Sequence, residues 1–306
     1  MSVGAENLPG AAAASRGQAQ VLLFGLALVW GGNWAVTKIG LGYVPPFTYG
    51  ALRVLIGFVA LAGLLAARGS LRLPARDDLA VVLSVGLGQL AAAIAIMNLA
   101  LRVVPAGRSS VLVYTMPLWV AVIQLVVLRR GLGSRQAIGL VLGLLGVVAL
   151  VNPGVIDWRN PGQIAGSMAL LLSAFLWAAT TIQLRNHRWT ATPLELQPWE
   201  LLVALVPLAM LAILLDRNEP VNLGIPAMAA LAFSGLLATG FGYWASQSIT
   251  RSMTPIETTV GFLAIPVVGL MAGTILLGEP TGLVDLAGFA ITILAIAMVS
   301  FSPDST

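Results

Sequence analysis

The chain of 306 residues contains no cysteine and a single histidine, His187. That excludes a disulfide framework and a thiolate metal site, and it leaves too little imidazole for a metal cluster. Charge is scarce as well: 9% of residues are Asp, Glu, Lys or Arg, whereas 58% are hydrophobic and the mean hydropathy is +0.94. This balance describes an integral membrane protein. Acidic residues are dispersed over loops and helix ends (Asp77, Asp78, Asp157, Asp216, Glu219, Glu279, Asp285), and no GxSxG, HExxH or P-loop spacing occurs. The composition therefore speaks against an enzyme, a metal site and a cofactor. A pI near 10.1 does not point to nucleic acid, because the net charge is only +4 and the arginines stand between apolar runs. Their expected role is orientation in a membrane.

What is present is a series of apolar runs of about 20 residues, the length a membrane span requires. They cover roughly 20–40, 47–67, 78–99, 106–128, 135–151, 163–185, 198–215, 225–247, 256–277 and 284–301. The expected fold is all-α and integral to the membrane, with ten transmembrane helices. Short turns join them, as in RGSLRLPARDD, RRGLGSR and NPGVIDWRNPG. With the N-terminus in the cytoplasm, Arg16, Arg68, Arg72, Arg76, Arg129, Arg130, Arg135, Arg185, Arg188 and Arg251 lie inside. Lys38, Arg102, Arg108, Arg159 and Arg217 lie outside. The excess predicts both termini in the cytoplasm.

The second half repeats the first. Trp30 falls on Trp177, Lys38 on Arg185 and Pro46 on Pro193 at an offset of 147; after a two-residue gap the offset is 149, placing Arg102 on Arg251, Pro117 on Pro266 and Gly139 on Gly288. Two copies of five spans must lie upside down to one another, which is the inverted-repeat plan of many secondary transporters around a central cavity. The expected division is a tail at 1–19, a first five-helix repeat at 20–151, a linker at 152–162, a second repeat at 163–301 and a tail at 302–306.

FGLALVWGGNWAVTKIGL, PPFTYGALRVLIG and LGEP at 277–280, on this twofold five-helix layout, resemble the drug/metabolite transporter superfamily, and within it the EamA-type carriers. The resemblance covers nearly all of residues 20–301. It implies a metabolite exporter of the bacterial inner membrane, similar to exporters of amino acids, aromatic ones included. One departure is visible: the second copy has Gly278 and Glu279 where the first has Arg129 and Arg130.

Helical spacing puts Trp30, Asn33, Trp34, Thr37 and Lys38 on one face of the first span, and Trp177, Thr180, Thr181 and Arg185 on one face of the sixth. Such stripes are costly against lipid and are expected to face a wet cavity, close packing between helices being the competing account. Tyr243 and Gln247 on span eight and Tyr114 on span four extend the expected wall. The candidate substrate-binding set is therefore Trp30, Asn33, Trp34, Tyr114, Trp177, Thr180, Tyr243 and Gln247. Lys38, Arg53, Arg185 and Glu200 are candidates for carboxylate contact or gating, with an Arg185–Glu200 bridge closing the cytoplasmic side. Pro117 and Pro266, matched by the repeat, are candidate hinges. Gln89 and Asn98, nine positions apart, fall on opposite faces of a straight helix. Trp158 and Trp189 are expected as interfacial anchors, and His187 as an interfacial residue.

No acid occupies the middle of span one, where the small multidrug pumps of the superfamily carry a glutamate. Asn33 lies there, which speaks against proton antiport by that route. Glu257, at the start of span nine, is the remaining protonatable candidate. The expected function is alternating-access export of small amphiphilic metabolites, chiefly amino acids with aromatic or apolar side chains. The alternatives are drug or organic-cation export and antiport of phosphorylated metabolites. The expected partners are a small-molecule substrate and the lipid bilayer, without nucleic acid; the glycines of span five (Gly139, Gly143, Gly146) allow a homodimer, but a monomer suffices.

Overall fold

The structure, a computed structural model, describes residues 16–127, 129, 133–151, 161–187, 189–252, 262 and 264–300. Among them every regular element is helical. In chain order the rods are α1 (Arg16–Leu41), α2 (Pro46–Ala67), α3 (Arg76–Leu101), α4 (Ala106–Val113 continued by Met116–Val126) and α5 (Ser134–Val151). They are followed by α6 (Pro161–Asn186), α7 (Pro193–Asp216), α8 (Ile225–Ile249), α9 (Ala264–Leu277) and α10 (Leu283–Ser300). Seven rods, α1 to α4 and α6 to α8, are long and apolar enough to cross a membrane; α5, α9 and α10 hold shorter apolar stretches. Most of the expected linker and both tails lie outside the described residues.

Local chemistry sets the helix ends. Pro46 and Pro193 occupy the first turns of α2 and α7, where a missing N–H costs nothing. Thr192 and Glu195 form a reciprocal capping box at the start of α7. At the far end of α2, Gly69 takes φ +63 while the Ser70 N–H donates to the Leu65 carbonyl at 2.8 Å, closing the last turn. Gly278, at φ +64, ends α9 in the same left-handed conformation, and its repeat mate Arg129 holds φ +51. The backbone turn is thus shared by the two halves although the residue is not.

Large apolar side chains such as Val21, Phe24, Leu144, Val206 and Ile213 point outward, as a surface solvated by hydrocarbon requires. Inside, the helices meet through small residues. A Cβ on Gly86 of α3 would stand 2.8 Å from the Glu200 carbonyl and 2.7 Å from the Val203 side chain of α7. A Cβ on Gly235 of α8 would stand 3.0 Å from the Arg53 carbonyl and 2.7 Å from the Ile56 side chain of α2. Gly86 and Gly235, Arg53 and Glu200, and Ile56 and Val203 are all pairs related by the sequence repeat. The larger pairings follow the same rule. α2 packs on α7, α4 on α9 and α5 on α10, while α1 meets α8 and α9 as α6 meets α3 and α4.

Three rods contain π-helical segments that the sequence reading missed: Val85–Ala92 in α3, Ala212–Asp216 in α7 and Phe233–Phe241 in α8. The first and third coincide under the offset of 149. Gln89 and Asn98, on and beyond the first of these segments, are both buried, and they meet different helices: Asn98 Nδ2 donates to the Pro46 carbonyl of α2 at 2.9 Å, while the Gln89 carbonyl accepts from Tyr243 of α8.

Candidate functional site

A cavity with about 710 Å³ of empty space opens between the two halves. Its wall includes Trp30, Asn33, Trp34, Arg53, Tyr114, Trp177 and Tyr243. Met116 also lines it, and the other lining residues complete repeat-related pairs: Ile94 with Tyr243, Met97 with Ser246 and Val113 with Phe262, beside Trp30 with Trp177. The cavity thus lies where equivalent positions of the two halves converge.

Its aromatic side chains are mutually braced. Trp30 and Trp177 meet edge to face with ring centroids 6.0 Å apart, Tyr243 stacks on Trp177 at 5.7 Å, and Trp30 also meets the edge of Tyr243 at 5.5 Å. The π segment of α8 leaves backbone carbonyls turned away from the ordinary ladder, and side chains collect them. The Trp30 indole donates to the Ala238 carbonyl at 2.9 Å, and the Gln197 amide donates to the carbonyls of Thr239 and Gly240 at 3.2 and 3.1 Å. The repeat mate of Ala238 is Gln89, whose carbonyl accepts from the Tyr243 hydroxyl at 3.4 Å. Among the described residues the Trp177 indole N–H has no acceptor, and Trp177 lines the cavity.

Arg53 is 5% exposed. Its Nε donates to Thr239 Oγ1 at 3.1 Å, and the Thr239 hydroxyl donates onward to the Ser234 carbonyl at 2.7 Å. Its two terminal nitrogens have no acceptor among the described residues and lie beside the aromatic box. A planar cation with unused donors in an aromatic pocket is suited to a carboxylate or phosphate. No acidic side chain lines the cavity among the described residues. No group of three possible metal ligands occurs among them either.

Six of the eight expected substrate-binding residues (Trp30, Asn33, Trp34, Tyr114, Trp177 and Tyr243) stand in the cavity wall. Asn33 Oδ1 also accepts from Ser234 Oγ at 2.7 Å, so part of its polarity serves packing. Thr180 and Gln247 stand outside the wall. The Thr180 hydroxyl turns back to the Leu176 carbonyl at 3.0 Å, and the Gln247 amide points to Glu200 Oε2 at 3.4 Å.

Of the three charged candidates whose side chains are described, Lys38, Arg53 and Glu200, only Arg53 stands in the cavity wall. Lys38 is tied at the helix end, its Nζ 2.7 Å from Glu279 Oε1 and 3.2 Å from the Val104 carbonyl. Glu279 accepts in addition from the amides of Ala106 and Gly107 at 2.9 and 3.3 Å, so one carboxylate clasps α1, the start of α4 and the α9–α10 turn. Glu200 is completely buried and faces Gln247; the side chain of Arg185 lies outside the described residues, so the expected bridge has no described partner. Glu257 and Trp158 also lie outside them.

Pro117 is the second residue of the continued α4, just past the break at Tyr114–Thr115. Its missing N–H cannot serve the Val113 carbonyl, which accounts for the break. Pro266 stands in the first turn of α9, and residues 253–261 and 263 before it lie outside the described residues. At the α2–α3 end, Asp78 accepts from the Thr190 hydroxyl and lies 2.8 Å from His187 Nε2. Trp189 packs on His187 at 5.4 Å and against the core, so this pair closes a turn.

The sequence reading missed Ile94, Met97, Val113, Met116, Ser246 and Phe262 because single apolar residues carry no site signal. The repeat offset applied to Tyr243 leads directly to Ile94.

The EamA-like transporter family matches the chain twice, over residues 18–152 and 164–301. The uncharacterized transporter YoaV of Bacillus subtilis is 24% identical over 92% of this chain and 96% of its own. Proteins described as probable amino-acid metabolite efflux pumps, from Salmonella typhimurium and Escherichia coli, are each 27% identical. They cover 88% and 85% of this chain and 90% and 87% of their own. A crystal structure of another protein, 21% identical, superimposes with a TM-score of 0.63 over 94% of this chain and 97% of its own, a likeness of fold. The chain belongs to the EamA-like transporter family of the drug/metabolite transporter superfamily.

Proposed function

We propose that this transporter exports small amphiphilic metabolites, chiefly amino acids with aromatic or apolar side chains, by alternating access across the bacterial inner membrane. The observation that carries this reading is Arg53, whose terminal nitrogens are unused beside the aromatic box of Trp30, Trp177 and Tyr243. A carboxylate fits the guanidinium, an aromatic or aliphatic side chain fits the box, and the Trp177 indole offers a further donor. Relatives described as probable amino-acid metabolite efflux pumps support the same class. The absence of an acidic side chain from the described wall disfavours organic cations.

The architecture proposed for this cycle is ten spans in two inverted five-helix repeats, with both termini in the cytoplasm. The exchanged helix pairings and the matched Gly86 and Gly235 crossings support the repeat. In that orientation the Lys38–Glu279 clasp closes the periplasmic side, and Pro117 marks a bend about which α4 moves. Arg53 equally favours a phosphate ester, which keeps phosphorylated metabolites as the second reading.

The experiment is counterflow of labelled tryptophan into proteoliposomes preloaded with unlabelled tryptophan at equal pH on both sides. Transient accumulation above protein-free liposomes is expected. Flux equal to the control, together with counterflow of a phosphorylated metabolite, would reverse the order of the two readings.

A further inference from the structure

Glu200 lies two turns into α7, whose span runs from Pro193 to Asp216, and is 0% exposed. Its Oε2 faces the Gln247 amide at 3.4 Å, and its Oε1 has no hydrogen-bond partner among the described residues. Two further acceptors belong to the same setting and are equally unpaired: Oε1 of Gln247 and Oε1 of Gln197, the latter one turn before Glu200 on α7. The site is therefore rich in oxygen acceptors and short of donors.

The rods packed on α7 are α2, α3 and α8. α2 presents Arg53, which is engaged with Thr239, and Tyr49, whose hydroxyl lies 2.7 Å from Ser234 Oγ. α8 presents Tyr243, whose hydroxyl is directed to the Gln89 carbonyl. Arg76, Asp77 and Asp78 open α3, Asp78 being held by His187 and Thr190, and from Leu79 to Leu101 the rod carries no charge. No cation among the described residues forms an ion pair with Glu200. An ionised carboxylate buried alone costs several kcal/mol in real proteins, so the closed arrangement holds the acid with its proton. The proton supplies the donor that this cluster of acceptors lacks.

We propose that Glu200 is the proton-carrying residue of the transporter and couples substrate movement to a proton gradient. When α7 and α8 part, water reaches the carboxyl, the O–H bond breaks, and the proton passes to water while the carboxylate keeps the electron pair. That side closes again either with substrate bound and the carboxylate still ionised or, without substrate, only after a proton is taken back. The proton that replaces the one released in exchange for substrate is taken from water on the opposite side. Gln247 connects this step to the cavity, because it lies one turn beyond Tyr243 on α8 and adjoins Ser246 in the wall. The inference rests on the export reading above, which sets the polarity as antiport.

The test separates the two. Counterflow of tryptophan at equal pH examines the transport reading alone. A pH difference of about one unit, acid inside, is then imposed without substrate preload, with the membrane potential clamped to zero by valinomycin and equal potassium on both sides. One proton exchanged per substrate sustains about tenfold accumulation. Expected are tenfold accumulation by the wild type and, for Glu200→Gln, counterflow without accumulation. Wild-type counterflow that ignores the gradient overturns the proposal, and so does a Glu200→Gln variant that still accumulates. Should the variant not fold, dicyclohexylcarbodiimide, which modifies protonated carboxyls in apolar surroundings, is applied to the wild type. Modification mapped to Glu200, with loss of gradient-driven accumulation, supports the proposal; absence of label at Glu200 overturns it. If tryptophan shows no counterflow at all, the substrate reading fails and the labelling of Glu200 still decides the proton site.

Discussion

Trp30 and Trp177, equivalent residues of the two halves, touch each other, their rings crossing at 84° with centroids 6.0 Å apart. In a structure whose halves exchange places about a central axis, equivalent residues meet only near that axis. Under the inverted repeat proposed above, this contact lies at the centre of the molecule, where a carrier keeps its substrate within reach of both sides. Tyr243, stacked on Trp177, extends the same surface.

Removing one plate of this box weakens binding without removing the carboxylate contact. Aromatic pairs contribute about 0.5–1.5 kcal/mol beyond the area they bury. Trp177→Ala loses its contacts with Trp30 and Tyr243 together with the plate offered to substrate. The half-saturating tryptophan concentration in counterflow is expected to rise roughly tenfold, and Trp177→Phe is expected to retain most of the wild-type value. An unchanged concentration dependence for Trp177→Ala would place the substrate elsewhere.

Arg53 makes a sharper distinction. A hydrogen bond to a charged group contributes about 1.5–3 kcal/mol, so Arg53→Gln is expected to weaken tryptophan inhibition of counterflow by roughly 10- to 100-fold. Tryptamine, which has the same ring without the carboxylate, is expected to compete no less well in the variant than in the wild type. Equal losses for both compounds would mean that Arg53 supports the helices and does not touch substrate.

Much of this site could be read from the sequence because the membrane makes polarity conspicuous. Trp30, Asn33 and Trp34 stand out in an apolar run, and helical spacing fixes their common face. The π segments were not legible: VGLGQLAA and FSGLLATGF carry no residue that demands a wider turn, and what holds the second in place is Gln197 and Trp30 from other helices. The clasp was hidden for a related reason. Lys38 and Glu279 were each visible as unusual charges, but they are 241 positions apart and only the packing of α1 against α9 joins them. Glu200 looked like the end of a span because its helix was read from residue 198, whereas the Thr192 cap starts it earlier.

The repeat can be tested by damaging it twice. Gly86→Ala and Gly235→Ala place a methyl group against repeat-related backbone carbonyls, those of Glu200 and Arg53. Overpacking of this kind costs about 1–3 kcal/mol. Both variants are expected to lower the unfolding midpoint in detergent by similar amounts. Gly25→Ala and Gly63→Ala, where an added methyl group meets nothing within 4 Å, are expected to leave it unchanged or raise it. A large loss for only one of the two crossings would argue against equivalent halves.

The clasp at Glu279 joins three elements, which gives its removal a characteristic pattern. Lys38→Ala removes a partly exposed ion pair, an interaction of about 0–1 kcal/mol. Glu279→Ala removes that pair and also uncovers the amides of Ala106 and Gly107 at the start of α4, a cap loss of about 0.5–2 kcal/mol. The second variant is therefore expected to be the less stable, and the double variant no less stable than Glu279→Ala alone. If the clasp holds one side of the cavity shut, releasing it also raises access from that side. The chain has no cysteine, so a single cysteine at Met97 in the cavity wall reports access cleanly. A membrane-impermeant maleimide added from the periplasmic side is expected to label that cysteine several-fold faster in the Glu279→Ala background. Equal labelling rates in the two backgrounds would make the clasp a structural tie that takes no part in opening.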